Sequence, residues 1–155
     1  MKLIVAAALF MPLLLIPAKA HVQKPNKVPF SLIQGYRPRA NAFPGPGFNT
    51  QLFARKDQFE LNFEKVPGAA AVSKLDFAKF VVLACYGDKT TIETTLSLEK
   101  IEKQNGIMKV YFKKVAGGKR TTPIAPCCLY TTGIDRSLNG IDYYINGKLQ
   151  EEIRN

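Results

Sequence analysis

Apolar and polar residues alternate through much of the second half of the chain, and this pattern predicts β-strands. Residues 92–99 alternate between Ile, Thr or Leu and polar side chains, and residues 108–113 repeat the alternation with Lys and Tyr. A repeat of two is typical of a strand with one buried face. Gln104-Asn105-Gly106 lies between the two segments and carries the Asn-Gly pair of a tight turn. We therefore predict an antiparallel hairpin.

The flanking segments predict a second hairpin and a central strand. Asn146-Gly147 separates residues 141–145 from residues 148–153, again with an Asn-Gly pair. Residues 75–86 (LDFAKFVVLACY) are nearly all apolar after Lys79, which is typical of a strand covered on both faces. Gly87-Asp88-Lys89 is the predicted turn out of this strand.

A short helix is predicted before the central strand. In residues 56–64 (KDQFELNFE), Phe59 and Phe63 are four positions apart and therefore lie on one helix face. Acidic residues near its start suit the positive end of the helix dipole. Val66-Pro67-Gly68 is expected to end the helix, and residues 51–54 form a short strand candidate before it.

Two remaining segments complete the predicted fold. Residues 115–122 contain Gly117 and Gly118 and predict a polar loop. Residues 124–132 predict an apolar strand, which Pro126 interrupts with a bulge or at a sheet edge. The expected fold is mainly β with a minor α component, an antiparallel β-sandwich or rolled sheet with one short helix before the central strand.

The first twenty residues have the pattern of a cleavable export signal. Lys2 precedes an apolar stretch at residues 3–16, and Pro17-Ala18-Lys19-Ala20 gives a small-residue cleavage site. We expect a periplasmic or secreted protein whose mature chain of 135 residues (155 minus 20) starts at His21 and forms one domain. No later apolar run is long enough for a membrane span, so none is expected after signal cleavage.

The segment after the signal differs from the rest in composition. Residues 21–56 contain six Lys or Arg and no acid, and residues 21–48 are also rich in Pro and Gly. Such composition breaks helices and strand ladders. The predicted organisation is therefore a signal peptide at residues 1–20, a basic arm with at most short extended pieces at residues 21–48, and a β-rich domain at residues 49–155.

Charge suggests one class of partner. The chain has a net charge of +10, and the signal removes two lysines, which leaves +8. A basic surface favours anionic surfaces, phosphates or acidic glycans. An exported protein rarely meets nucleic acid, so no nucleic-acid partner is expected. The candidate residues for anionic-surface binding are Lys24, Lys27, Arg37, Arg39, Lys113 and Lys114.

Candidate catalytic chemistry is sparse. His21 is the one histidine, and it would lie at the mature N-terminus. A Ser-His-Asp triad needs a fixed imidazole, and a copper clamp built on an N-terminal histidine needs a second histidine. The acidic residues form no convincing catalytic pair. We expect no enzyme, no cofactor and no metal site.

Three cysteines leave two alternatives open. An odd count means that at least one thiol is unpaired within the chain. Cys127 and Cys128 are neighbours on a predicted strand and face opposite sides, so at most one of them can face Cys85. The alternatives are a disulfide between Cys85 and either Cys127 or Cys128, or three buried thiols that pack as small apolar side chains.

Residues 66–135 resemble the C-terminal domain of the bacterial PrcB family. The resemblance lies in VPGAAAVSKLDFAKFVVLACYG, TLSLEKIEKQNGIMKVYFKK and TTPIAPCCLYTTGID, and KDQFELNF is similar to the helical lead-in of that domain. It implies an exported accessory subunit that stabilises a secreted protease complex, with a distant similarity to chagasin-type protease inhibitors. Thr91-Ile92-Glu93-Thr94 stands where the family carries Thr-Gly-Gly-Tyr, which predicts a strand that starts earlier.

Two functional hypotheses follow, with a third implied by the resemblance. The first is a non-catalytic module that binds another exported protein, for example a protease, through the loops at residues 88–91 and 117–122. The second is a module that binds an anionic surface or glycan. The third is a protease-inhibitor-like domain. The candidate partner-binding residues are Asp88, Lys89, Thr90, Thr91, Lys119 and Arg120.

Overall fold

The alternating segments form the strands of two packed sheets. The computed structural model describes residues 24–40, 42 and 47–154, so the predicted signal peptide and His21 lie outside the described residues. The described elements, in chain order, are β1 (Asn26–Lys27), β2 (Phe30–Leu32), β3 (Tyr36–Pro38), β4 (Phe48–Phe53), α1 (Lys56–Asn62), β5 (Phe63–Lys65), β6 (Phe80–Gly87), β7 (Thr90–Gln104), β8 (Ile107–Ile124), β9 (Cys127–Gly133), β10 (Gly140–Ile145) and β11 (Lys148–Arg154).

These strands form a sandwich, as predicted. The five-stranded sheet has the order β1-β7-β8-β10-β11, and the four-stranded sheet has the order β2-β9-β6-β4. A small sheet of β3 and β5 lies beside them. One pairing differs from the expected antiparallel arrangement, since β10 runs parallel to β8. The chain leaves the five-stranded sheet after β8, passes through β9 in the four-stranded sheet and returns, so β10 enters in the same direction as β8.

Both Asn-Gly hairpins are confirmed. Asn105 and Gly106 have φ values of 52° and 76°, and Asn146 and Gly147 have 51° and 75°. Two consecutive residues with positive φ match the turn that suits the twist of a tight hairpin. The alternating segment of β8 buries Met108, Val110 and Phe112, as its pattern predicts.

The central strand is buried on both faces, as predicted, although it starts later than residue 75. Leu83 and Cys85 pack between the two main sheets. Val82, Ala84 and Tyr86 pack against the other side, where α1 and the aromatic residues around it lie. The strand begins at Phe80 because the backbone NH groups of Lys79 and Phe80 donate to the Asp76 carbonyl in a preceding turn.

The helix is confirmed but is shorter than the pattern suggests. Phe63 lies outside it, with an extended backbone (φ −128°, ψ 147°), and starts β5. The Phe59 and Phe63 rings still stack with their centroids 5.0 Å apart, and both side chains are buried. The two rings that indicated one helix face therefore still pack together, although the helix ends between them.

The described part of the basic arm pairs with all three sheets. β1 pairs with β7, β2 with β9 and β3 with β5. These are the short extended pieces that the composition allows. Two of its aromatics dock on the domain, since Phe30 contacts Tyr130 and Tyr36 contacts Phe59, both edge to face. Phe48 already belongs to β4.

The predicted polar loop at residues 115–122 is wrong, because β8 continues without a break to Ile124. Pairing with β7 holds this segment in a ladder although neither face is buried, and a strand with two exposed faces shows no apolar alternation. Ile124 therefore ends β8 instead of starting the next strand. Pro126 separates β8 from β9, since proline has no NH to donate to a ladder.

Candidate functional site

One two-stranded part of the five-stranded sheet lies uncovered on both faces, in addition to the edge strand β11, whose seven residues are all exposed. This two-stranded part consists of residues 90–95 of β7 and residues 115–124 of β8, and we call it the exposed ribbon. All ten of its β8 residues are exposed. Ile92, Val115 and Ile124 are 48%, 50% and 49% exposed. Exposed apolar side chains that recur along one ribbon can contact a partner segment that lies along it.

The ribbon connects the two main sheets. β6 ends at Gly87 and β9 starts at Cys127, and these two strands pair in the four-stranded sheet. β7 follows β6 along the chain and β8 precedes β9, and both β7 and β8 belong to the five-stranded sheet. Thr90 pairs with Ile124 and Ile92 with Lys119, so β8 uses five residues where β7 uses two. Extra residues on one strand bend and twist a ribbon, which suits a segment that crosses between sheets.

Both edges of the ribbon are open. On one side, β1 pairs with β7 only at residues 102–103. On the other, β10 pairs with β8 only as far as Phe112. Beyond that point the Asn146 side chain accepts from the Lys114 NH at 2.8 Å and donates to the Lys114 carbonyl at 3.0 Å. No described strand pairs with either edge further along the ribbon. Open edges of this kind can accept an added strand.

The structure brings the two predicted partner-binding segments together. Asp88 and Lys89 form the turn before β7, and Thr90 and Thr91 start that strand. Lys119 and Arg120 lie on the neighbouring strand β8 instead of in a loop. Arg120 forms an ion pair with Glu93 across the ribbon. The predicted residues therefore share one surface, although it is a strand ladder and not a pair of loops.

The residues predicted for an anionic surface do not form one patch. Lys27 lies opposite Glu102, whereas Lys113 lies opposite Ser97. That separation is five residues of β7, or about 17 Å along the strand. Lys24 and Lys27 belong with the hairpin end of the sheet, and Lys113 and Lys114 lie beside the exposed ribbon. Arg37 and Arg39 lie at the small sheet, where both contact Glu64.

An apolar hollow below the ribbon was not predicted. Phe48, Ile92, Lys114 and Ala116 contribute to a cavity of about 260 Å³. The Lys114 ammonium lies 4.6 Å from the centre of the Phe48 ring, a cation–π contact that holds the lysine stem over the hollow. The alternation of residues 92–99 predicted the strand but not the hollow, because the hollow joins Phe48 to residues of β7 and β8 that are far from it in the chain.

The cysteines are three free thiols. Cys85 and Cys128 lie directly opposite each other on β6 and β9, so Cys128 is the one that faces Cys85. The hydrogen bond with Cys85, together with burial, raises the pKa of the Cys128 thiol. Burial and the nearby Cys85 raise the pKa of Cys127 to about 12. Both thiols stay protonated at neutral pH and are poor nucleophiles there.

Residues 24–40, 42 and 47–154 contain no group of three or more His, Cys, Asp or Glu side chains that could hold a metal ion. No helix among them is long and apolar enough to cross a membrane.

Comparisons with known proteins found no match to this chain. No protein-family model, no curated protein and no solved structure matches the chain.

Proposed function

We propose that this protein is a non-catalytic, exported interaction module that binds another exported protein through the exposed ribbon. The observation that carries the proposal is the ribbon itself, with two open edges and three half-exposed apolar side chains. A partner strand on either edge would gain backbone hydrogen bonds and would cover Ile92, Val115 or Ile124. Export rests on the signal pattern of residues 1–20.

The charge around the ribbon favours an acidic partner. Residues 88–95 and 113–124 contain Lys89, Lys113, Lys114, Lys119 and Arg120 against Asp88 and Glu93, which gives +5 − 2 = +3. Complementary charge increases the rate of encounter and favours the correct partner. The finer assignment, an accessory subunit of a secreted protease complex, is supported only by the resemblance of residues 66–135 to the PrcB C-terminal domain.

The test is capture of the partner from the protein's own periplasm or medium, with variants of the ribbon. Ile92→Ser combined with Val115→Ser removes two exposed apolar side chains, so we expect a folded protein that loses its partner. Leu61→Ser is the matched control, because Leu61 is 70% exposed on α1, outside the ribbon. Equal capture by both variants would refute binding through the ribbon.

Salt separates this proposal from the anionic-surface hypothesis. Exposed charges are strongly screened at about 0.5 M salt, where the Debye length is only a few ångströms. A partner that the wild-type protein retains at this salt concentration supports the ribbon. Loss of all binding at this salt, with the ribbon variant behaving as the wild type at low salt, supports an anionic surface. Point substitutions are preferred to deletion of residues 21–48, since that deletion removes β1, β2 and β3 from their sheets.

A further inference from the structure

A basic pocket lies at the end of the exposed ribbon. Arg37, Arg39, Lys89 and Glu64 contribute charged side chains to a cavity of about 330 Å³, and Ile124 contributes an apolar wall. The sequence places these residues in four separate segments, and the two arginines were predicted for a different surface from Lys89. The pairing of β3 with β5 brings Arg37 opposite Glu64, and the turn before β7 adds Lys89.

The two arginines are held in place before any ligand arrives. Arg37 donates from Nε to Glu64 Oε1 at 2.8 Å, and Arg39 donates from Nη1 to Glu64 Oε2 at 3.3 Å. Arg39 also donates from Nε to the Glu60 carbonyl at 2.9 Å. Fixed donors lose less conformational entropy when they bind an anion, because their side chains are already ordered.

The pocket has an excess of positive charge. Arg37, Arg39 and Lys89 face one carboxylate, Glu64, which leaves a charge of +2 at this site. Lys89 forms no ion pair with any residue that the structure describes. The Arg37 and Arg39 side chains are 55% and 43% exposed, so each guanidinium still has donors that an incoming oxygen can reach. Arginine donors fit the two oxygens of a carboxylate.

We propose that the basic pocket binds a side-chain carboxylate of an acidic segment that lies along the exposed ribbon. The inference rests on the proposed function and names the chemistry of the partner. Ile124 connects the two surfaces, because it is the last residue of the ribbon and also a wall of the pocket. A strand on the ribbon edge therefore reaches the pocket with its terminal residues, and an Asp or Glu there meets Lys89 and both arginines.

The test measures binding of a hexaglutamate peptide to the full-length protein by isothermal titration calorimetry at low salt. Lys89→Gln removes one pocket cation that has no described ion pair, so its thermal unfolding should match that of the wild type. We expect about fivefold weaker peptide binding for this variant, the effect of roughly one exposed ion pair. Lys27→Gln is the matched control, since Lys27 is an exposed lysine of β1 at the hairpin end of the sheet, outside both the pocket and the ribbon, and it should bind within about twofold of the wild type.

Two further titrations define the ligand. A neutral Gly-Ser hexapeptide should not bind, and inorganic phosphate should bind more weakly than hexaglutamate. Equal loss in Lys89→Gln and Lys27→Gln would overturn the pocket, as would no binding of hexaglutamate at all. Equal or tighter binding of phosphate would overturn a peptide carboxylate as the ligand.

These results are independent of the partner capture described above. If the Ile92 and Val115 variant keeps its partner, the ribbon proposal fails even though the peptide titration still reports on the pocket. If only the peptide titration fails, the ribbon proposal stands and the carboxylate in the pocket does not.

Discussion

At the scale of single residues, the cysteines show how the fold selects between chemical alternatives. Adjacent cysteines on a strand must face opposite sides, so the sequence alone predicts that only one of them can face Cys85. Which of them meets Cys85 depends on the register of β6 against β9, and that register pairs Cys85 with Cys128. Buried, protonated thiols there behave as small apolar side chains.

We expect the three thiols to react slowly while the protein is folded. Ellman's reagent at pH 8 should label them slowly in the native protein and should label all three in denaturant. The hydrogen bond with Cys85 and burial raise the pKa of Cys128, burial raises the pKa of Cys127, and Cys85 is fully buried. If Cys85 and Cys128 formed a disulfide, protein purified without reductant would have only one thiol that reacts with the reagent in denaturant.

The raised pKa also makes stability depend on pH. An unfolded cysteine ionises near pH 8.5, whereas folded Cys127 keeps its proton up to about pH 12. Above pH 8.5 the unfolded state therefore binds fewer protons than the native state, and the free energy of unfolding falls as the pH rises. Urea denaturation at pH 7.5 and pH 9.5 measures this fall, which should be smaller in Cys127→Ser. An equal fall in both proteins would assign the effect to other groups.

At the scale of elements, the hairpins were predictable because their signals are local. An Asn-Gly pair specifies a turn through its own backbone preferences, and a half-buried strand shows its buried face in the sequence. The end of α1 was less predictable, since Phe63 could continue the helix or pair with β3, and only the neighbouring strand decided between them. The extension of β8 was not predictable from apolar alternation, because its last ten residues have no buried face.

The two Asn-Gly turns should differ in energy. Asn105→Ala and Asn146→Ala both place alanine at a positive φ, but only Asn146→Ala also removes two hydrogen bonds to the Lys114 backbone. We expect Asn146→Ala to lower the free energy of unfolding by about 1 kcal/mol more than Asn105→Ala, as measured by urea denaturation. Equal losses would mean that the hydrogen bonds of the Asn146 side chain do not add to the free energy of unfolding.

At the scale of the whole molecule, the β8 segment of the ribbon has no opposing layer, since residues 115–124 are all exposed. Strand segments without buried apolar contacts open more easily than strands in a core. Hydrogen exchange should therefore be at least about tenfold faster for the ribbon amides at residues 115–124 than for residues 108–112 of the same strand. Binding of the proposed partner should slow the ribbon amides selectively. Equal protection along β8 would show that the ribbon is as stable as the core.

The sequence by itself determined the β-rich class, both hairpin turns, the short helix and the strand buried on both faces. Each of these depends on residues close together in the chain, through turn preferences or the spacing of apolar side chains. It also indicated residues 88–91 and 119–120 as candidate contacts, because it predicted loops there, although residues 119–120 lie in β8. The parallel pairing of β10 with β8 and the pairing of Cys85 with Cys128 depended on tertiary structure. So did the meeting of Arg37 and Arg39 with Lys89, which depends on where the small β3–β5 sheet lies relative to the start of β7. All these contacts join residues far apart in the chain.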